Sequence, residues 1–349
     1  MTRSILLALG LLAACSPATE SQGGVAAAPP APPTAAPVSI DGPRLSFPLD
    51  CVVGETCEVQ NHIDADPGPG VKDYRCGTQT YEKHGGVDIR LLDMAAQRRG
   101  VDVLAAAAGR VTRLRDGVAD VSVKILGPAS VAGQECGNGV VIDHGGGWET
   151  QYCHLARGGM MVKQGDAVTV GQPIARVGLS GNTEYPHLHL SVRKAGVIVD
   201  PYRPEAAPGT CDAASSGVGL WDPAAAKAVA YQPGGAVLNV GFTGAQPTME
   251  AVEAGGVEAP SAADPALIAY VRAINLQAGD VQSLSVVDPA GGVLVQNTLA
   301  PLDRAKAQYL LYVGKRTPAG GWRSGRYTAS YVVTRAGKPV LKRNFELAL

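Results

Sequence analysis

Short apolar runs separated by glycine-rich turns fill most of the chain. Val111–Leu114, Val121–Ile125, Val140–Ile142, Val168–Val170, Ile174–Val177 and Leu188–Val192 are each the length of a strand and too short for a helix. After an Ala/Ser/Gly stretch near residues 212–219, similar runs resume at Ala236–Phe242, Leu267–Ile274, Leu284–Val287, Tyr309–Val313 and Tyr327–Thr334. No sustained helical period competes with them. The pattern predicts an all-β chain, with a compact β-sheet domain over residues 45–212 and a smaller β-sandwich over residues 218–349. A length of 349 residues is enough for two such cores.

The N-terminal residues follow a different rule. Arg3 precedes an apolar run, Ile5–Leu12, that is too short to span a bilayer, and Leu12-Ala13-Ala14-Cys15 closes it. This arrangement resembles the lipobox of a bacterial lipoprotein precursor. The resemblance implies a signal peptide at residues 1–14, lipid on Cys15 and attachment to a membrane. Ser16 does not resemble an inner-membrane retention signal, so the outer membrane, facing the periplasm, is the implied location. Residues 15–44 are dominated by Ala, Pro, Gly and Ser and cannot bury enough surface to fold, which suits a tether.

Charge and cysteine content narrow the function. Lys and Arg number 30 against 31 Asp and Glu, so no net field recommends nucleic acid as a partner. Of the 7 cysteines, setting Cys15 aside leaves Cys51, Cys57, Cys76, Cys136, Cys153 and Cys211, an even set in an exported chain. Six cysteines allow 15 pairings. Sequence proximity favours Cys51 with Cys57, and a predicted hairpin favours Cys136 with Cys153.

Histidines carry the chemistry. His84-Gly85-Gly86-Val87-Asp88 sets an imidazole and a carboxylate around two glycines, which let the backbone aim both at one point. In Pro186-His187-Leu188-His189, strand alternation puts both imidazoles on one face and Leu188 and Leu190 on the other. Gln151-Tyr152-Cys153-His154-Leu155 is also strand-like. Alternation there places Tyr152 beside His154, where the tyrosine either lines a groove or packs. His62 and His144 read as structural groups.

The order His-x-x-x-Asp, Tyr-x-His-Leu, Pro-His-Leu-His resembles the lysostaphin/LytM-type zinc endopeptidases of bacterial cell-wall peptidoglycan. Gly139–Gly145, Val162–Asp166 and Val177–Thr183 are similar to that family too, and the likeness runs from about Tyr81 to Tyr202. It implies a LytM-like β-sheet domain in which His84, Asp88 and His189 hold Zn2+ while His154 and His187 are catalytic. The implied substrate is peptidoglycan peptide. The alternative within the resemblance is a metal-free regulator that acts through a protein partner, activating another wall hydrolase. Residues 57–76 fall outside the motif and are read as a wrap that walls the groove. The C-terminal region shows no catalytic cluster, leaving binding or spacing as its role.

Overall fold

The computed structural model describes residues 41–349. Residues 1–14, Cys15 and most of the tether lie outside the described residues. The first ten strands are β1 (Cys57–Asn61), β2 (Val87–Leu91), β3 (Asp102–Leu104), β4 (Gly109–Arg115), β5 (Asn138–Gly145), β6 (Trp148–Leu155), β7 (Ala167–Val168), β8 (Pro173–Arg176), β9 (His187–Lys194) and β10 (Val197–Val199). Eight of them form one sheet in the order β1-β2-β9-β6-β5-β4-β7, with β10 paired to β9, while β3 and β8 form a separate ribbon. Val87, Ile89, Leu188, Leu190, Tyr152, Val140 and Ile142 fill the core on one face, joined by Leu220 and Trp221 from beyond the sheet. The alternation expected for Leu188 and Leu190 is present.

Seven further strands follow: β11 (Ala236–Thr243), β12 (Ala266–Leu276), β13 (Val281–Val287), β14 (Val293–Thr298), β15 (Lys306–Arg316), β16 (Arg326–Arg335) and β17 (Lys338–Ala348). They make a sheet ordered β11-β12-β15 and another ordered β14-β13-β16-β17. Phe242, Val271 and Val313 of one sheet share a core with Leu284, Tyr327, Tyr331 and Val333 of the other, so the two form a sandwich. Burial alternates residue by residue along β13 and β16, as one covered face requires. The described residues are therefore all-β apart from short helices.

Two expected strands differ. Val121–Ile125 is not extended: Val123–Leu126 is a helical turn, capped by Ser122, whose Oγ accepts from the Lys124 amide. Around it the loop is sewn to its neighbours, with Val123 donating to the Thr183 carbonyl at 3.0 Å and Ser122 Oγ to the Glu184 carbonyl at 3.0 Å. Val168–Val170 yields only the two-residue β7. The bonds Cys51–Cys57 and Cys136–Cys153 are present, and Cys76–Cys211 completes the set by tying the upstream wrap to a segment 135 residues on.

The sandwich is keyed to the first sheet through polar groups. Asn275 of β12 donates to the Gln60 carbonyl at 2.7 Å, and Asn239 of β11 donates to Asp93 at 3.1 Å. At the centre lie Arg90 of β2 and Arg272 of β12, both with no exposed surface. Glu253, on the helix Met249–Ala254, accepts from both guanidinium groups. Burial, then the neighbouring Arg90 charge, pulls Arg272 down to about 10, so it stays cationic at neutral pH. Removing one member of a buried ionic cluster leaves the others uncompensated, at a cost of about 3–5 kcal/mol. Glu253→Gln is accordingly expected to lower the free energy of unfolding by that amount, read as a shift of the chemical-denaturation midpoint to lower denaturant; an unchanged midpoint would show that the arginines find other partners.

Glu58, also on β1, supplies a pH signature. Burial pushes its carboxyl from 4.5 up to about 7, against the pull of Arg343. A raised acid pKa means the folded state holds the proton more tightly. The stability penalty is therefore absent below pH 4.5, grows as pH rises, and is complete above pH 7. Glu58→Gln is expected to stabilise the fold by roughly 2–4 kcal/mol at pH 8 and by almost nothing at pH 4. Melting curves at the two pH values check this.

Candidate metal centre and active site

The pairing of β2 with β9 builds the site. Asp88 stands opposite His189, and Arg90 opposite His187. His84, in the turn before β2, completes a cluster in which Nε2 of His84, Oδ1 of Asp88 and Nδ1 of His189 approach one another at 2.9–3.1 Å. Gly86 permits this closeness: a Cβ there would lie 2.5 Å from His189 Nε2 and 2.7 Å from the Leu190 carbonyl. Its value is space and not a left-handed backbone, since neither Gly85 nor Gly86 has positive φ.

The far nitrogen of each imidazole settles which atom faces the centre. His84 Nδ1 lies 2.6 Å from the His62 carbonyl, which can only accept, so Nδ1 carries the proton and Nε2 presents a lone pair. Ser191 Oγ spends its proton on the Gly85 carbonyl at 2.8 Å, so it accepts from His189 Nε2 at 3.1 Å and leaves Nδ1 as the lone pair. With neutral imidazoles, three acceptors thus point at one spot with no proton between them. Such a set is repulsive alone and fits a divalent cation; N and O ligands about 2.0 Å from a tetrahedral ion lie about 3.3 Å apart. The three atoms are among groups able to hold a metal ion, with ligand atoms within 4.8 Å of one another.

Asp88 is buried, which by itself would raise its pKa. The charges of His84 and His187 and the hydrogen bonds of His187 and His189 outweigh burial and hold the carboxyl well below its usual range. Burial pulls His84 down, but Asp88 overcomes it and the imidazole sits above its ordinary value. His189 is lowered, by burial first and against Asp88.

His154 and His187 flank this cluster with ring centroids 4.6 Å apart. His154 Nδ1 donates to the Ser180 carbonyl at 2.8 Å. His187 Nδ1 donates to the Tyr185 carbonyl at 3.0 Å and is 3.1 Å from Thr183 Oγ1, whose own proton goes to Tyr185. Both therefore turn Nε2 away from those anchors, and that of His187 lies 3.4 Å from Asp88 Oδ1. Burial, then the charges of His187 and His189, keeps His154 well below its ordinary pKa and so neutral.

The expectation that Tyr152 and His154 share a face is corrected. His154 has φ 61°, a left-handed backbone that breaks alternation. Tyr152 has no exposed surface and packs in the core, where its hydroxyl oxygen accepts from the Ala106 amide at 2.8 Å. His144 bonds the Ala108 carbonyl and Thr150, away from the cluster. His62 packs among Tyr74, Tyr202 and Tyr231 and touches the site through its backbone only.

Sequence reasoning missed Asn61, whose Nδ2 donates to Asp88 Oδ2 at 2.9 Å from the upstream strand β1. It also missed Ser191, which alternation could have found, since it lies two residues beyond His189 on the same face. Asp88 and His187 open onto a groove of about 450 Å³. A larger cleft of about 660 Å³, lined by Val53, Glu58, Lys227 and Arg343, contains none of the five predicted residues and is not where this chemistry lies.

A β-sheet domain with a buried His/Asp cluster able to hold a metal ion, and two further histidines beside it, is the class of site that fold and geometry define. Residues 82–201 match the model for peptidase family M23, and this part of the chain is an M23 domain. The chain is 50% identical over 59 residues to the peptidoglycan DD-endopeptidase ShyA of Vibrio cholerae, covering 16% of this chain and 13% of that protein. It is 34% identical over 68 residues to the cell division protein DipM of Caulobacter vibrioides, covering 20% of this chain and 11% of that one. The matches thus span a small part of these relatives. Among solved structures, the catalytic domain of lysostaphin from Staphylococcus simulans aligns at 24% identity over 34% of this chain and 76% of its own, with a TM-score of 0.26.

Removing a group that orients a metal ligand typically weakens affinity 10–100-fold. Asn61→Ala is expected to do so here, read by competition with a chelating dye, and to lower the melting temperature of the metal-free protein because Asp88 Oδ2 is left buried without its donor; unaltered affinity would mean that Asp88 is held by β2 alone.

Proposed function

We propose that this protein is a zinc-dependent endopeptidase acting on peptide bonds of bacterial peptidoglycan. The observation that carries the reading is the convergence of His84 Nε2, Asp88 Oδ1 and His189 Nδ1, each held as an acceptor by the partner of its other polar atom. The M23 match and the wall-endopeptidase relatives support the substrate class. His84, Asp88 and His189 are the proposed zinc ligands. Zinc bound there would supply a Lewis acid, making water more acidic and a carbonyl more electrophilic.

The protein's own groups handle the protons. His154 and His187 are locked at Nδ1 by backbone carbonyls, so only Nε2 is free on each. One accepts the proton of the attacking water and returns it to the leaving amine. The other, when it carries a proton on Nε2, donates to the oxygen on which charge develops. Burial of both rings keeps bulk water from competing for these hydrogen bonds. We further propose, on the lipobox-like Leu12–Cys15, that lipid on Cys15 holds the enzyme at the outer membrane, facing the wall.

The test is release of new amino groups from purified peptidoglycan by the full chain, with and without chelator. Release should require metal, vanish in His189→Ala and fall at least about 100-fold in His154→Ala. Zinc bound tightly without release from any wall preparation would replace this reading with that of a silent regulator of another wall hydrolase.

A further inference from the structure

The groove beside Asp88 and His187 is not built by the M23 domain alone. Ala307 and Gln308 of β15 line it together with Gln60, Arg90 and Tyr185. These two residues are placed by the sandwich ladder, where Gln308 pairs with Ile274 of β12. The neighbouring Asn275 is buried and donates to the Gln60 carbonyl at 2.7 Å, so the wall that carries Gln308 is fastened to the strand that carries Asn61.

Gln308 has one hydrogen-bonding role already assigned. Arg90 Nη2 lies 3.4 Å from its Oε1, and a guanidinium can only donate. Oε1 therefore accepts, and the Nε2 amide is what the side chain can offer to something else. Arg90 itself is not free to take a ligand: its head lies 3.8 Å over the Tyr185 ring, Nη1 donates to Gln60 at 3.0 Å, and Glu253 accepts from Nη2. Its surroundings fix it, and it in turn fixes Gln308. Tyr185 connects this wall to the reactive side, because its ring centroid is 5.0 Å from that of His187.

We propose that the C-terminal sandwich is one wall of the substrate site and that Gln308 is a specificity-determining residue. Its Nε2 donates a hydrogen bond to an acceptor, a carbonyl or carboxylate, on a peptide lying along the groove. This rests on the reading of the groove as a peptide site. Ala307, which is exposed beside it, marks where the peptide passes closest to β15.

Two substitutions separate this from a merely structural role. Gln308→Glu keeps the shape and the Arg90 contact but replaces the donor with an acceptor. Ala307→Trp fills the groove from an exposed position that the fold does not need. Binding of a synthetic, hydrolysis-resistant wall stem peptide is measured by calorimetry on the zinc-loaded full chain, so that no cleavage intervenes. Loss of one donor corresponds to a weakening of about 3–10-fold for Gln308→Glu. Ala307→Trp is expected to weaken binding by at least about 10-fold, with melting temperature and zinc uptake as in the wild type. On peptidoglycan, KM should rise and kcat hold for Gln308→Glu. Unchanged binding in both variants, or no binding by the wild type, overturns the proposal. Absence of wall cleavage by a wild type that binds the peptide would instead overturn the hydrolase reading and leave the groove assignment standing.

Discussion

The ionised carboxylate of Asp88, buried where no water can solvate it, is the constraint around which the site is organised. A buried charge is tolerated only when its oxygens are matched by donors or a counter-charge. Oδ2 has Asn61. Oδ1 faces His84, His187 and His189, whose outer nitrogens are committed to His62, Tyr185 and Ser191. The side facing the three rings therefore calls for positive charge from a proton or a cation. The upward shift of His84 is the proton answer. A metal there competes with that proton, so its binding is coupled to proton release.

This arrangement makes heavy demands on the backbone beneath it. Aligning Asp88 with His189 requires the β2–β9 register to hold, because a slip of one residue would send both side chains into the core. Leu188, Leu190, Val87 and Ile89 lock that register by filling the opposite face. The disulfide Cys136–Cys153 braces β6 immediately before His154, where the chain leaves regular extended geometry.

Much of this was legible in the sequence because it is local. The two glycines between His84 and Asp88 already implied that both could aim at one point, and the spacing of His187 and His189 implied a shared face. The all-β architecture followed from short apolar runs. What escaped was whatever depends on a partner distant in the chain or on an irregular dihedral. Asn61 meets Asp88 only because β1 pairs with β2, and nothing near Asn61 announces it. The left-handed turn at His154 has no glycine to signal it, so Tyr152 was set on the wrong face. At Val121–Ile125, β-branched residues suggested a strand, but the segment bonds through its ends to the Thr183–Glu184 loop and finds no ladder.

The same distinction explains why the C-terminal region looked inert when read alone. It carries no metal or nucleophile cluster, and Gln308 is an ordinary polar residue in a strand. Its significance comes from β2, which places Arg90 next to a glutamine more than two hundred residues away. Arg90 is expensive to bury and would be a poor choice for a strand facing only its own domain. Its cost is met by Glu253 and Gln308 from the sandwich and by Gln60 and Tyr185 from the M23 side. A residue two positions from Asp88 whose Nη2 finds its partners only when both halves are docked ties the geometry of the groove to the presence of the sandwich.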